Sequence, residues 1–187
     1  MNLPILLTLF RILAIPFIVI VYSLPYWWAH PVASFLFILA AITDGLDGYF
    51  ARTMSLTTRF GAFLDPVADK LLVAISLIMV VSYLQSFFIA IPAVIIVGRE
   101  IVISGLREWM AEIGKRTSVA VSHVGKIKTT FQITALIILL ACNNHTPPWF
   151  VIVGSIALYL AAGLTLWSMF IYLKVAWPDL SASRAIK

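Results

Sequence analysis

Hydrophobic positions along this chain come in stretches of roughly 20 residues broken by short polar turns, the length an α-helix needs to cross a bilayer. The pattern predicts helices over about 5–23, 33–52, 61–83, 86–113, 123–142 and 149–174. The fourth is long enough to project past the membrane. Strict alternation of apolar and polar positions, the mark of a membrane β-barrel, is absent. The reading is therefore an all-α integral membrane protein, a bundle of six transmembrane helices. No long linker, low-complexity tract or internal repeat interrupts residues 1–187, which read as a single transmembrane domain.

Composition narrows the class. With 62% hydrophobic and 11% charged residues, a soluble domain is excluded. The N-terminal run lacks a basic leader and an Ala-x-Ala site, so a cleaved signal peptide is not expected. Cys142 is the single cysteine, which rules out a disulfide framework or a thiolate metal site within one chain.

The charges give an orientation. The segments Pro25–Pro31, Leu84–Ser86 and Asn143–Pro148 carry no Lys or Arg, whereas all 13 basic residues can be placed at or near the opposite side. The positive-inside rule then puts both termini and the loops 53–60 and 114–122 in the cytoplasm. Tyr26, Trp27, Trp28 and Trp149 flank the other face as an interfacial aromatic belt. His30 and His145 are expected there too, solvated in loops, and the tail after Trp177 reads as a polar, mobile end. The net charge of +5 suits contact with anionic membrane lipids; nothing suggests nucleic acid.

Four of the eight acidic residues, Asp44, Asp47, Asp65 and Asp69, fall inside one 26-residue window. Carboxylates at membrane depth are costly unless paired or bound to metal, so they are functional candidates. If the second and third helices form an antiparallel hairpin around 53–60, Asp44 and Asp69 both lie about 12 Å from their helix ends. Asp47 and Asp65 lie about 6–8 Å from them. Asp44 and Asp47 are three apart and Asp65 and Asp69 four apart, so each pair shares a helix face. Converging carboxylates would repel unless cations were bound, and all-oxygen ligation points to Mg²⁺, Mn²⁺ or Ca²⁺. Such a site suits phosphoryl transfer on a diphosphate. Gly48 and Ala51 leave room for a flat ligand such as a nucleobase, Arg52 can bind a phosphate bidentately, and Gly61 permits close helix approach.

The run Asp44-Gly45-Leu46-Asp47-Gly48-Tyr49-Phe50-Ala51-Arg52, then Gly61, Asp65 and Asp69 at fixed spacing, resembles the signature of the CDP-alcohol phosphatidyltransferases. The resemblance implies a six-helix fold, usually homodimeric, with a cytoplasm-facing cavity that binds CDP-diacylglycerol. It implies that Asp44, Asp47 and Asp65 hold one divalent ion, Mg²⁺ or Mn²⁺. Asp44, Asp65 and Asp69 would contribute to a second, with Asp69 the general base. Many members also carry Pro-Asn-x-x-Thr-x-x-Arg near the N-terminus; here Pro4 is followed by Ile5, while Thr8 and Arg11 remain as expected CDP-diacylglycerol contacts.

The acceptor is read from other residues. Arg99, Arg107, Lys126 and Lys128, near the ends of the fourth and fifth helices, suit an acceptor that carries its own phosphate. Glu100 and Arg107, seven apart, are expected on one face as a supporting ion pair, and Glu112 with Arg116 as a structural one. His123 lies close to this basic region. The stretches Gly98–Ile101, Leu106–Glu112, Gly125–Thr130 and Arg59–Lys70 resemble the phosphatidylglycerophosphate synthase branch of the family, which implies glycerol 3-phosphate as acceptor. Two other readings use the same residues: a cardiolipin synthase type with phosphatidylglycerol as acceptor, and a divalent-cation transporter. Transporter ion sites commonly lie near the midplane with internal symmetry, whereas these acids are displaced to one side without a second set.

Overall fold

The computed structural model describes the backbone of residues 3–54, 59–112 and 123–182, and within these the side chains of 8–43, 64–112, 125, 127–174 and 177. Six α-helices account for the described backbone: α1 (Leu3–Tyr22), α2 (Ala29–Met54), α3 (Arg59–Leu84), α4 (Phe87–Glu112), α5 (His123–Ala141) and α6 (Pro148–Ala182). Each expected span coincides with one of them. Leu64–Leu84, Phe87–Glu112 and Pro148–Lys174 are long and apolar enough to cross a membrane within the described residues. Thr8–Tyr22, Ala29–Thr43 and Ile127–Ala141 are shorter apolar helical stretches.

Two boundaries differ from expectation. α2 begins at Ala29, so His30 is helical rather than a loop residue. Its ring is buried against Tyr22 and Tyr83, with centroids at 4.4 and 4.2 Å, because aromatic contact there outweighs solvation of a neutral imidazole. His145 is exposed, as expected. At the other end α6 continues to Ala182, past the expected stop near 174. Ala176, Leu180 and Ala182 favour the helix there, although Pro178 removes one backbone hydrogen bond.

Packing is organised by α1 and α5. α5 lies along α6 and also touches α2 and α3; α1 packs on both α2 and α3; α4 leans on α6 and α3. The centre holds Ile18, Phe37, Leu77, Val80, Ile96, Leu136, Leu139 and Leu158. Small residues let α5 and α6 approach closely: a Cβ built on Gly154 would fall 2.7 Å from Leu139. Ser34 Oγ donates to the carbonyl of Ile137 at 2.7 Å, a polar tie between α2 and α5.

The bundle has two unlike ends. The C-terminal ends of α1, α3 and α5 and the start of α2 surround a cavity of about 850 Å³ lined by Tyr22, Tyr26, Trp27, His30, Tyr83, Gln85 and Asn143–His145. None of the described residues lining that cavity is Lys, Arg, Asp or Glu. Tyr26, Trp27, Trp28 and Trp149 are surface residues, in keeping with the expected aromatic belt. The two-residue break between α3 and α4 is turned by Gln85 at φ 45°, a left-handed conformation uncommon outside glycine. The described ion pairs all lie toward the other end.

Candidate active site

α3 carries Asp65 and Asp69 one turn apart, so both carboxylates leave the helix on one side. α1 meets them with Thr8 and Arg11, three residues apart on its own face. Thr8 Oγ1 donates to Asp65 Oδ1 at 2.5 Å, and Arg11 Nη1 donates to Asp69 Oδ1 in an ion pair. Thr8 and Arg11 are both fully buried, whereas the Asp69 side chain keeps 45% of its exposure. The result is a two-rung ladder: α1 anchors one oxygen of each carboxylate from behind while the acids still reach the open side.

The sequence motif assigns Thr8 and Arg11 to the lipid nucleotide; the structure engages both with the acidic pair. The signal is present in the register, since a Thr-x-x-Arg spacing on one helix matches Asp-x-x-x-Asp on another. Nothing in the local sequence says that α1 lies against α3. Asp44, Asp47, Gly48, Ala51 and Arg52 are on α2 and Gly61 on α3, but their side chains lie outside the described residues. The expected meeting of all four aspartates across α2 and α3 therefore lies outside them as well.

A hard divalent cation fits the donors that are described. Asp65 and Asp69 offer only oxygen, lie on the same face, and are oriented by buried partners rather than left to rotate. Among the described residues no group of three or more acidic, His or Cys side chains gathers by itself.

The basic residues form a second cluster around one acid. Glu100 Oε1 accepts from Lys128 Nζ at 2.7 Å and from Arg99 Nη1 at 3.1 Å. Arg99 Nη2 also donates to Ser168 Oγ at 3.0 Å. Lys128 and Arg99 are largely buried and Glu100 is a quarter exposed. α4, α5 and α6 each contribute to this knot. Arg107 does not pair with Glu100 as expected; its guanidinium lies over the Tyr172 ring, 5.7 Å from the centroid. The intervening two turns of α4 leave Glu100 directed to α5, where the closer Lys128 takes the carboxylate. Lys126, His123 and Arg116 have side chains outside the described residues. Glu100 and Ser104 share a cavity of about 370 Å³ with Lys70, the residue after Asp69 in sequence.

The sequence matches the CDP-alcohol phosphatidyltransferase family over residues 1–167. The chain belongs to that family. This phosphatidyltransferase is 54% identical over 179 residues to a CDP-diacylglycerol–glycerol-3-phosphate 3-phosphatidyltransferase of Pectobacterium atrosepticum, covering 96% of this chain and 97% of the relative. It is 53% identical over 179 residues to the protein of that name from Salmonella choleraesuis, with the same coverage. Against the Yersinia pestis protein of that name it is 52% identical over 180 residues, again covering 96% and 97%. The phosphatidyltransferase is thus a bacterial-type, membrane-embedded enzyme of phospholipid synthesis, in a family that generally works with divalent metal ions.

Proposed function

We propose that this phosphatidyltransferase moves the phosphatidyl group of CDP-diacylglycerol to glycerol 3-phosphate, giving phosphatidylglycerophosphate and CMP. The observation that carries the acceptor is the gathering of Arg99 and Lys128 on Glu100, with Arg107 over Tyr172 on the neighbouring α6. Several cations held close together suit an acceptor that brings its own phosphate dianion, which a neutral or zwitterionic alcohol would not require.

The reaction assigns one substrate to each cluster. Arg107, Lys126, Lys128 and Arg99 hold the acceptor phosphate and so aim its free sn-1 hydroxyl toward α3. Asp69, fixed by Arg11, takes the hydroxyl proton. The oxygen attacks the lipid-linked phosphorus, a new P–O bond forms to glycerol, and the bond to the CMP oxygen breaks. Gly48, Ala51, Arg52 and Gly61 accommodate the cytidine nucleotide, with Thr8 and Arg11 acting on it indirectly through Asp65 and Asp69. Asp44, Asp47 and Asp65 would hold one Mg²⁺ or Mn²⁺ and Asp44, Asp65 and Asp69 a second, which when bound neutralise the diphosphate and the departing CMP.

In this reading the protein is a homodimer of the bacterial inner membrane, with both termini and the reaction centre facing the cytoplasm. A soluble nucleotide and a buried diacylglycerol then reach one cavity. The test is incorporation of radiolabelled glycerol 3-phosphate into lipid by purified protein with CDP-diacylglycerol, with and without Mg²⁺ or Mn²⁺. Metal-dependent labelled lipid and stoichiometric CMP are expected. Consumption of phosphatidylglycerol in place of glycerol 3-phosphate would overturn the acceptor assignment.

A further inference from the structure

We propose that Glu100 is a positioning residue of the acceptor half-site, and that Ser168 on α6 supports it. The proposal rests on glycerol 3-phosphate being the acceptor. Three cations approach this one carboxylate, and a fourth lies beside them. Lys128 and Arg99 bond to the same oxygen, Lys70 lines the cavity that Glu100 lines, and Arg107 is within electrostatic reach of Lys128. Among the described residues Glu100 is the acid this group shares.

The physical reason is repulsion. Cations gathered to receive a phosphate repel one another while the site is empty, and flexible lysine side chains relieve that by swinging apart. A buried ammonium stripped of its counter-charge is also costly. Glu100 Oε1 holds Lys128 Nζ and Arg99 Nη1 at a common point, so the site does not have to assemble when the acceptor arrives. Ser168 completes the arrangement from the other side. Its oxygen accepts from Arg99 Nη2, and its hydroxyl donates to the Thr165 carbonyl at 2.9 Å, which fixes where that oxygen points. Tyr172, one turn further along α6, lies under Arg107. α6 thus backs both arginines of α4, a role that no charge on α6 announces.

The test separates the two substrates kinetically. Wild-type enzyme is first assayed with glycerol 3-phosphate; failure to use it sinks the acceptor reading itself. With that activity in hand, Glu100→Gln should raise KM for glycerol 3-phosphate about tenfold while KM for CDP-diacylglycerol stays within about twofold. Glu100→Asp keeps the charge on a shorter arm and should recover most of the loss, to within about threefold of wild type. Ser168→Ala should raise the acceptor KM about threefold by freeing one side of Arg99. An unchanged acceptor KM in Glu100→Gln, or equal rises for both substrates, overturns the proposal. Should Glu100→Gln not fold, the same acceptor-selective rise in Glu100→Asp and Ser168→Ala supports it, and its absence in both rejects it.

Discussion

Thr8 and Asp65 join α1 to α3 through a hydrogen bond from a fully buried hydroxyl to a partly exposed carboxylate. A bond of this type, neutral donor to charged acceptor, contributes about 1.5–3 kcal/mol when sheltered, and less here because water reaches Asp65. Its larger effect is on aim, since Asp65 is placed to ligate metal and cannot do so if it rotates. Thr8→Val keeps the shape and removes the donor. The expected result is a loss of about 1 kcal/mol in detergent unfolding with a kcat reduced roughly tenfold, the signature of a misplaced ligand. A normal rate in that variant would show that Asp65 needs no help from α1.

Arg11 is the more demanding case. It has no exposed surface, and its partner Asp69 is the proposed base. Removing one member of a buried pair costs about 3–5 kcal/mol when both charges are sheltered. Asp69 is nearly half exposed and can be rehydrated, so Arg11→Met should cost about 2 kcal/mol. Activity should fall further than in Thr8→Val, because the base itself loses its support. Thermal unfolding followed by fluorescence-detected size exclusion, alongside CMP release, measures both effects.

What the sequence makes legible follows a physical line. Six helices and the one-sided placement of charge are readable because bilayer thickness fixes span length and the cost of buried charge fixes where ions go. The same cost singles out Asp65 and Asp69 as a pair. It cannot say that Thr8 and Arg11 face them, because contact between α1 and α3 is a tertiary choice with no local trace. The burial of His30 escapes local reading for the same reason: a neutral ring between Tyr22 and Tyr83 is stabilised by neighbours 8 and 53 positions away in sequence. Helical spacing allows Glu100 to pair with Arg107. The partner it takes, Lys128, comes from another helix, where spacing along α4 carries no information.

Chelation should silence the enzyme without unfolding it. The acidic face of α3 is held by Thr8 and Arg11, so removal of divalent ions leaves these carboxylates oriented. EDTA treatment is expected to abolish CMP release, and Mg²⁺ or Mn²⁺ to restore it, with little change in the unfolding temperature. Calorimetric titration of the metal-free protein should also find that Asp65→Ala weakens binding about 10–100-fold. Full turnover in excess chelator would remove the metal role from these aspartates.

Gly154 tests the close packing of α6 on α5. A methyl group there meets Leu139 Cγ and Cδ2 at 2.7 Å, and Leu139 is fully buried. Gly154→Ala must displace that side chain and should cost about 1–3 kcal/mol, as overpacked cores do. At Gly163, further along α6, an added methyl group would meet nothing within 4 Å, so Gly163→Ala should be neutral or slightly stabilising. Equal unfolding temperatures for the two variants would mean that α5 and α6 are not as close as described.

Asp69→Asn isolates the proton transfer. The amide is nearly isosteric with the carboxylate and can still accept from Arg11, so the variant should fold and bind CDP-diacylglycerol, with a lowered unfolding temperature because the buried guanidinium loses its counter-charge. It cannot take the acceptor proton at neutral pH. General-base catalysis is worth about 10²–10⁴ in rate, and loss of a metal-ligating oxygen adds to that. CMP release should therefore fall at least about 10³-fold, with the lipid nucleotide still bound in an equilibrium assay. A variant that turned over within about tenfold of wild type would assign the base elsewhere, and with Asp65 committed to Thr8 the search would move to the acidic residues of α2.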